Sequence, residues 1–210
     1  MLTNHMWLKV SILAMSIALP SFSGVILNGG FETDSGSGSS ASWTDTSTFF
    51  GFTRCSSSCF GVGPKSGSFW SSLGGVMSDA ETGTISQVVN FASGGTATLS
   101  AYIWYRSASG NDTDVFTVMV DGTTLLTIMG TDPTGTGYAL NTWDVSAFAN
   151  GSNHTIQFQL RQFGGRDASF NVNIDDVFLS NPGASGVPEP ATFALGSTGL
   201  AAIFAVRRRK

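Results

Sequence analysis

The chain has 210 residues with 10 basic and 14 acidic side chains, a formal net charge of −4, and only 11% of its residues are charged. An acidic chain repels a phosphate backbone, so the composition argues against a nucleic-acid-binding protein. The 26 glycines, together with many serines and threonines, are typical of an exported, β-rich domain with many turns.

The first 23 residues have the order of a secretory signal peptide. Lys9 precedes an apolar run at residues 10–19, which is followed by Pro20 and by small residues up to Ser23. This order predicts export through a Sec-type signal, with cleavage between Ser23 and Gly24. Residues 1–23 are therefore not expected to belong to the fold.

The charge is more strongly acidic once both terminal segments are set aside. Residues 24–187 contain five basic and 13 acidic side chains, which gives a formal net charge of −8. This segment has the length of a single domain and can bury a substantial core. Acidic extracellular domains are suitable hosts for Ca²⁺, a hard cation that takes oxygen ligands.

Cys55 and Cys59 are the two cysteines of the chain, and three serines separate them. In an exported protein, this spacing predicts a local disulfide. Closing so short a ring removes little chain entropy, so the bond would shape its loop more than it stabilises the fold. A metal site is the other interpretation, but the chain has no second Cys/His pair to complete one.

Alternation of apolar and polar residues predicts several short strands. The pattern occurs in residues 97–106, 116–120, 155–163 and 170–179, and Asp121-Gly122 predicts a hairpin leading into residues 125–128. Clusters of Gly, Ser, Asn and Asp separate these runs. A single sheet could not cover so many apolar faces, so the predicted fold is an all-β, two-sheet antiparallel sandwich.

Two sets of polar and aromatic residues on these strands are candidates for binding a sugar. They are Tyr102, Trp104 and Arg106 on one strand, and Gln157, Gln159 and Arg161 on a later one. Aromatic rings stack on the C–H face of a sugar, while amides and guanidinium groups bind its hydroxyls. Whether the two sets share a sheet stays open. The alternative is that Tyr102 and Trp104 pack under a loop or against the other sheet.

The run Phe49-Phe50-Gly51-Phe52 is a second candidate patch, next to the cysteine loop. Exposed phenylalanines in such number would be adhesive, so either burial or a partner surface is expected.

Catalytic patterns are weak. His154 is the histidine that remains after signal cleavage, and it is expected to be a solvated turn residue. Asp112 and Asp114 are expected to be solvated loop charges, because solvent in that polar turn would keep both ionised. There is no Gly-x-Ser-x-Gly elbow and no Walker pattern. The sequence therefore predicts a protein that is not an enzyme.

The C-terminal segment joins a short polar motif to an apolar run and a basic end. Val187-Pro188-Glu189-Pro190 is followed by an apolar stretch at residues 191–206, predicted to be a transmembrane helix, and then by Arg207-Arg208-Arg209-Lys210. This tail resembles the PEP-CTERM sorting signal of Gram-negative bacteria. The resemblance implies recognition at the motif by the membrane enzyme exosortase, which removes the tail.

The order of motifs between residues 24 and 180 resembles the galactose-binding-like jelly roll of many carbohydrate-binding modules. The opening segment is Ile26-Leu27-Asn28-Gly29-Gly30-Phe31-Glu32, and the closing segment is Ile174-Asp175-Asp176-Val177-Phe178-Leu179. Trp43 and the segments at residues 64–69 and 84–87 lie between them in the same order. Residues 181–187 are then a linker, and residues 188–210 form the sorting segment.

The same resemblance implies a structural Ca²⁺ where the first and last strands meet. Glu32 and one of Asp175 or Asp176 would supply carboxylates, and the Lys65-Ser66 loop would supply backbone carbonyls. The alternative is that Glu32 is simply solvated and that one Asp caps a turn.

Together these features predict an exported, non-enzymatic protein of the cell surface or extracellular matrix that binds or organises exopolysaccharide. It would be held in the inner membrane only until processing. One rival is a structural matrix or adhesion protein that acts through protein–protein contacts without a sugar site. Another is a glycan-active enzyme that uses one of the acid pairs.

Overall fold

A computed structural model describes residues 24–36, 38–57, 59, 62–76, 79–106, 113–163 and 170–181. The described residues are almost entirely β-strand and turn, with one short 3-10 helix at Ser146–Phe148. The all-β prediction is therefore confirmed. The predicted signal peptide, most of the linker and the whole sorting segment lie outside the described residues.

Ten strands follow one another along the described chain. They are β1 (Thr44–Ser47), β2 (Arg54–Cys55), β3 (Trp70–Gly74), β4 (Glu81–Asn90), β5 (Thr98–Arg106), β6 (Val115–Val120), β7 (Thr123–Met129), β8 (Ala139–Asp144), β9 (Asn153–Gln162) and β10 (Asn171–Ser180).

The strands form two antiparallel five-stranded sheets. Sheet A has the order β1-β4-β9-β6-β7, and sheet B has the order β2-β3-β10-β5-β8. Strands that are neighbours in sequence often belong to opposite sheets, as β4 and β5 do. The two inner faces therefore pack on each other as a sandwich, which confirms the predicted architecture.

The hydrophobic core lies between the sheets and follows the alternation read from the sequence. Strand β9 contributes Ile156, Phe158 and Leu160, and all three are fully buried. Strand β10 contributes Val172 and Ile174 from the opposite sheet. Each such side chain stabilises the fold by about 1.5–3 kcal/mol relative to an exposed one. This burial determines which side of each strand faces water.

Strand β10 departs from regular alternation in its middle. Its register against β5 shifts between Asp175 and Phe178, and Asp176 has a φ of 48°, in the left-handed region. The bulge turns the two acidic residues at its start toward the opening segment of the domain. This irregularity cannot be read from the hydrophobic pattern, because Ile174, Val177 and Leu179 still reach the core.

The β6–β7 hairpin has the predicted turn, with φ of 48° at Asp121 and 78° at Gly122. The Asp121 carboxylate ties this turn to β9. Its Oδ1 accepts the N–H of Thr155 at 2.8 Å, and its Oδ2 lies 2.6 Å from Nδ1 of His154. The hairpin is thus held against the start of β9 by a side chain as well as by the sheet ladder.

His154 is not a solvated turn residue, so that prediction was wrong. It is the second residue of β9 and is buried, edge-on to the rings of Phe91 and Phe148. Its Nε2 lies 3.0 Å from Oδ1 of Asn150, which also accepts the N–H of Ser152. Both ring nitrogens therefore face acceptors. The sequence signal missed this role because the partners come from two separate turns.

The Asp121 contact predicts an acid-sensitive contribution to stability. The N–H of Thr155 and then His154 lower the pKa of Asp121 below its usual 3.8. A depressed acid pKa stabilises the fold above the unfolded value, and this contribution is lost as pH falls through the native value. Because the carboxylate is largely exposed, we expect about 1 kcal/mol or less. Urea unfolding between about pH 6 and pH 3 should show a shallower acid decline in Asp121→Asn than in the wild type. Parallel curves would contradict this prediction.

Candidate functional site

The outer face of sheet A carries two rows of uncharged side chains, all of them polar except Met119. One row crosses all five strands in register: Thr46, Thr84, Gln159, Thr117 and Thr127. The next row contains Thr44, Ser86, Gln157, Met119 and Thr124. All of these side chains are half-buried or exposed. We call this surface the polar face.

The pleat of the sheet sets the spacing of these groups. Neighbouring strands lie about 4.8 Å apart, and alternate residues on one strand are about 6.8 Å apart. Hydroxyl and amide groups therefore repeat on a grid that is close to the size of a sugar ring. Such groups both donate and accept hydrogen bonds. These uncharged rows can therefore bind the hydroxyl groups of a polyhydroxylated ligand.

One end of the polar face carries a cation and aromatic rings. Arg161, in register with Thr82 of β4 and Val115 of β6, is exposed. Its guanidinium carbon lies 5.4 Å from the centre of the Phe163 ring, and Phe163 is 53% exposed. The turn after β1 brings Phe49 and Phe50 to the same end of the sheet, with exposures of 52% and 45%. We call Phe49, Phe50 and Phe163 the aromatic end.

Two buried carboxylates hold the aromatic end in place. Glu81 Oε2 accepts the N–H of Phe49 at 2.7 Å and the hydroxyl of Thr48 at 2.9 Å. Asp114 Oδ1 accepts the N–H of Phe163 at 2.8 Å. Both acids are 1% exposed. The exposed rings are thus mounted on a fixed backbone, which lowers the entropy lost when a ligand binds.

Asp114 was predicted to be a solvated loop charge, and that prediction was wrong. Its carboxylate is buried and accepts the N–H of Phe163, just after the end of β9. Asp112, the other member of the predicted pair, lies outside the described residues. Glu81 and Phe163 were not singled out from the sequence. No local pattern marks them, since each acts through a neighbouring strand or turn.

Phe49, Phe50 and Phe52 are exposed, so of the two expectations for this run burial was wrong, and a partner surface stays a prediction. Phe49 and Phe50 contact each other edge-to-face at 4.9 Å. Phe52 packs near Gly38, where an added Cβ would lie 3.3 Å from its ring. The adjacent loop is closed by a disulfide between Cys55 and Cys59.

The two sets of predicted binding residues do not come together. Gln157, Gln159 and Arg161 lie on β9 in sheet A, whereas Tyr102, Trp104 and Arg106 lie on β5 in sheet B. The outer faces of the two sheets point in opposite directions, so one sugar cannot contact both sets. The alternation pattern indicates only that a residue points outward. It does not indicate to which sheet the strand belongs.

Trp104 is buried under the loop between β7 and β8. It is 8% exposed, and its indole N–H donates to the carbonyl of Gly135 at 2.9 Å. Tyr102 is half-buried, with Nζ of Lys65 lying 4.5 Å from its ring centre. Tyr138 donates its hydroxyl proton to the carbonyl of Gly63 and so joins the two loops over this face. Trp104 therefore follows the alternative interpretation, and of the three only Arg106 is exposed.

The residues predicted to hold calcium do meet in space. Asp175 Oδ2 accepts the N–H groups of Lys65 at 2.8 Å and Ser66 at 3.1 Å, and Asp176 Oδ1 accepts the Ser66 hydroxyl at 2.8 Å. Glu32 Oε1 accepts the N–H groups of Ser68 and Phe69 at 2.9 and 3.0 Å. The opening segment, the loop at residues 63–69 and the closing strand are thus joined through three carboxylates.

Gly30 lies in the middle of this acidic cluster. A Cβ added there would come within 3.5 Å of Asp176 Oδ1, 3.8 Å of Asp175 Oδ1 and 3.9 Å of Glu32 Cγ. Burial raises the pKa of Asp175 to about 6, although N–H donors from Ser66, Asp176 and Lys65 act in the opposite direction. In the described part of the chain, no three His, Cys, Asp or Glu side chains form a ready-made metal cage. Backbone N–H groups hold the carboxylates of Asp175 and Glu32, and the Ser66 hydroxyl holds that of Asp176.

Comparisons with known proteins agree with the sequence and the fold. Residues 186–210 match the model of the PEP-CTERM protein-sorting motif, which marks an exported protein with a C-terminal sorting signal. No protein with a curated description matches the sequence. Within the described residues, no helix is long and apolar enough to span a membrane.

A solved carbohydrate-binding module shares the two-sheet jelly-roll fold of this chain. The module TmCBM61, solved in complex with β-1,4-galactotriose, has a TM-score of 0.53 and 14% identity, and the alignment covers 74% of this chain and 97% of that one. The enzymatically active domain of tailspike protein 4 of bacteriophage CBA120 has a TM-score of 0.46 and 14% identity, covering 74% and 21%. The K3 adhesin domain of Lys-gingipain from Porphyromonas gingivalis has a TM-score of 0.40 and 17% identity, covering 66% and 89%. At 14% identity the likeness to TmCBM61 describes the fold and not the ligand.

The burial of Trp104 predicts a structural phenotype for its removal. Trp104→Ala should leave a cavity under the β7–β8 loop and lower the free energy of unfolding by about 3–5 kcal/mol, measured by urea denaturation. Trp104→Phe keeps most of the packing and loses the bond to Gly135, so its loss should be clearly smaller. A Trp104→Ala protein as stable as the wild type would contradict the burial.

Proposed function

We propose that this protein is an exported, non-enzymatic carbohydrate-binding protein of the cell surface or extracellular matrix, which holds a glycan chain along the polar face of sheet A. The observation that carries the proposal is the grid of hydroxyl and amide groups on the outer face of sheet A, which ends at Arg161 and the exposed rings. Gln157 and Gln159 occupy the central strand of that grid and would donate to and accept from sugar hydroxyls.

The aromatic end favours a sugar over a ligand that has only polar groups. A sugar ring presents a C–H face that packs on an aromatic ring, and Phe49 and Phe163 are each more than half exposed at one end of the grid. Stacking at one end and hydrogen bonds along the strands would together orient an extended chain. The jelly-roll fold it shares with a galactotriose-binding module is consistent with this role, although fold alone does not determine function.

The positions and hydrogen bonds of the buried acids favour glycan binding over glycan hydrolysis. Glu81 and Asp114 lie beneath the aromatic end with their oxygens bonded to backbone N–H groups, and they do not reach the polar face. Two carboxyl groups flanking a cleft are what glycoside hydrolysis requires. His154 is enclosed by Asp121 and Asn150 at the opposite end of β9. These groups therefore serve to position the backbone.

The end of β10, which leads to the sorting segment, and the aromatic end lie at opposite ends of the sandwich. The aromatic end would therefore point away from the membrane. Strand β10 leads to the sorting segment from Ser180, which pairs with Thr98 at the start of β5. The aromatic end lies at the opposite end of the sandwich, where β9 finishes and β4 begins. During processing by exosortase at residues 186–210, the proposed glycan site would thus remain accessible.

A glycan array probed with residues 24–187 in the presence of calcium tests the proposed function. The double variant Gln157→Ala/Gln159→Ala should lose most of its retention, about tenfold or more, because two groups that bond to the same chain are removed. The matched control is Thr98→Ala/Thr142→Ala, two exposed polar residues on the outer face of sheet B. Its retention should be unchanged.

The rival function is a structural matrix protein that acts through protein contacts at the exposed phenylalanines. Under that function no glycan is retained, and self-association or matrix incorporation depends on Phe49 and Phe50 alone. Wild-type protein that binds no glycan, including the exopolysaccharide of its own source, would overturn the proposal.

We also propose that Ca²⁺ binds at the acidic cluster of Glu32, Asp175 and Asp176, with a carbonyl from the Lys65–Ser66 loop. The all-oxygen donor set suits a hard cation, and three acids around Gly30 repel one another without a counter-charge. Binding there would need the carboxylates to adjust from their backbone donors toward the ion. It would link the first and last segments of the domain.

Chelation should therefore lower the melting temperature. At free calcium about 100 times its Kd, the ion stabilises the fold by about 2.7 kcal/mol, which EDTA removes. Glu32→Gln should abolish most of the difference between the calcium and EDTA curves, whereas Asp132→Asn, in the β7–β8 loop, should retain it. Identical melting curves with calcium and with EDTA would rule out the site.

A further inference from the structure

We propose that the polar face recognises an acidic glycan in which isolated uronate residues are separated by neutral sugars, with Arg161 binding the uronate carboxylate. This inference rests on the proposed function and assigns the chemical class of its ligand.

Arg161 is an exposed cation without a carboxylate partner in the described part of the chain. The ion pairs there join Arg54 to Asp34 and His154 to Asp121, and neither involves Arg161. The neighbours of Arg161 on the polar face are Thr82, Val115 and Gln159, all uncharged. Asp114, which precedes Val115, is buried and accepts the N–H of Phe163. The guanidinium is therefore available to an external anion.

The other described cations differ from Arg161 in their surroundings. Arg54 donates to the carbonyls of Phe31 and Glu32 and stacks on Phe69 at 3.4 Å. Lys65 lies over the ring of Tyr102 on the opposite side of the molecule. Arg106 is exposed, but it is on sheet B, beyond the polar grid. Only Arg161 among these is both accessible and set among groups that bind hydroxyls.

The contact with Phe163 favours a carboxylate held through two hydrogen bonds. The guanidinium lies 5.4 Å from the ring centre, a distance at which cation–π attraction restrains it. A restrained planar fork of N–H donors matches the two oxygens of a carboxylate and loses less entropy on binding than a mobile side chain. The ring of the same uronate can reach Gln159 or Thr82 through its hydroxyls, because these lie one position away on the grid.

The charge of the domain limits how many anions the ligand can carry. Residues 24–187 have a formal net charge of −8, and the polar face offers one cation among its described residues. A densely charged polymer would be repelled along most of its length. A chain with spaced carboxylates places one at Arg161 and neutral sugars over the threonine and glutamine rows. The polar face therefore distinguishes glycans by the spacing of their carboxylates along the chain as well as by the presence of a carboxylate.

Paired ligands that differ only at the carboxylate test the proposal. Gellan oligosaccharides, in which neutral sugars separate the uronates, are compared with the same oligosaccharides after reduction of the carboxylates to primary alcohols. Calorimetry on residues 24–187 with calcium should show about tenfold tighter binding of the acidic form at low salt, and the ratio should shrink as salt rises. Polyguluronate, with a carboxylate on every sugar, should bind more weakly than gellan.

Two variants assign the effect to one residue. Arg161→Gln should bind both gellan forms equally, at the affinity that the wild type shows for the reduced form. Arg106→Gln removes another exposed cation, on sheet B, so it should keep the wild-type ratio. Both positions are exposed, and melting temperatures near that of the wild type confirm folding.

The outcomes separate this inference from the proposed function. Equal binding of both gellan forms by the wild type, or an Arg161→Gln protein that keeps the acid preference, overturns the uronate assignment and leaves glycan binding standing. Tighter binding of polyguluronate than of gellan overturns the spacing argument. No binding to either gellan form or to any glycan of the array overturns both.

Discussion

The pleat of strand β9 is the constraint on which the rest of the structure depends. It lies at the centre of sheet A, paired with β4 along ten positions and with β6 along six. Ile156, Phe158 and Leu160 must face the other sheet, so Gln157, Gln159 and Arg161 must face outward. A slip of one residue would bury the arginine and expose the core. The free energy of hydrophobic burial therefore holds the polar face in register.

Carboxylate side chains accept hydrogen bonds from backbone N–H groups that the sheets leave without a partner. Asp121 ties the β6–β7 turn to β9, Glu81 and Asp114 hold the aromatic end, and Asp175 holds the loop at residues 63–69. In each case a carboxylate oxygen accepts backbone N–H groups from a neighbouring segment and so joins two segments that are distant in sequence. The acidic composition thus has a structural use. It also leaves few cations, which is why the surroundings of Arg161 carry information about a ligand.

Strands β5, β6, β9 and β10, the hairpin at Asp121-Gly122 and the short disulfide loop could be predicted because each is a local property of the chain. The sorting tail could be predicted for the same reason. Trp104 and His154 could not. The local sequence around each resembles that of a solvated residue. However, the carbonyl of Gly135, 31 residues away, accepts the indole N–H of Trp104, and the β6–β7 turn and the segment before β9 enclose His154. Burial by a distant segment leaves no mark on the local pattern.

The sequence by itself determined the fold class, the alternating faces of β5, β6, β9 and β10, and the sorting motif, because alternation and contiguous motifs are properties of neighbouring residues. Only the tertiary structure decided that β5 and β9 belong to opposite sheets, so that the two sets of predicted binding residues face away from each other. It also brought Phe163, Phe49 and Arg161 to one end of sheet A. Strand pairing between distant segments makes those choices, and it depends on how the whole chain buries its apolar surface.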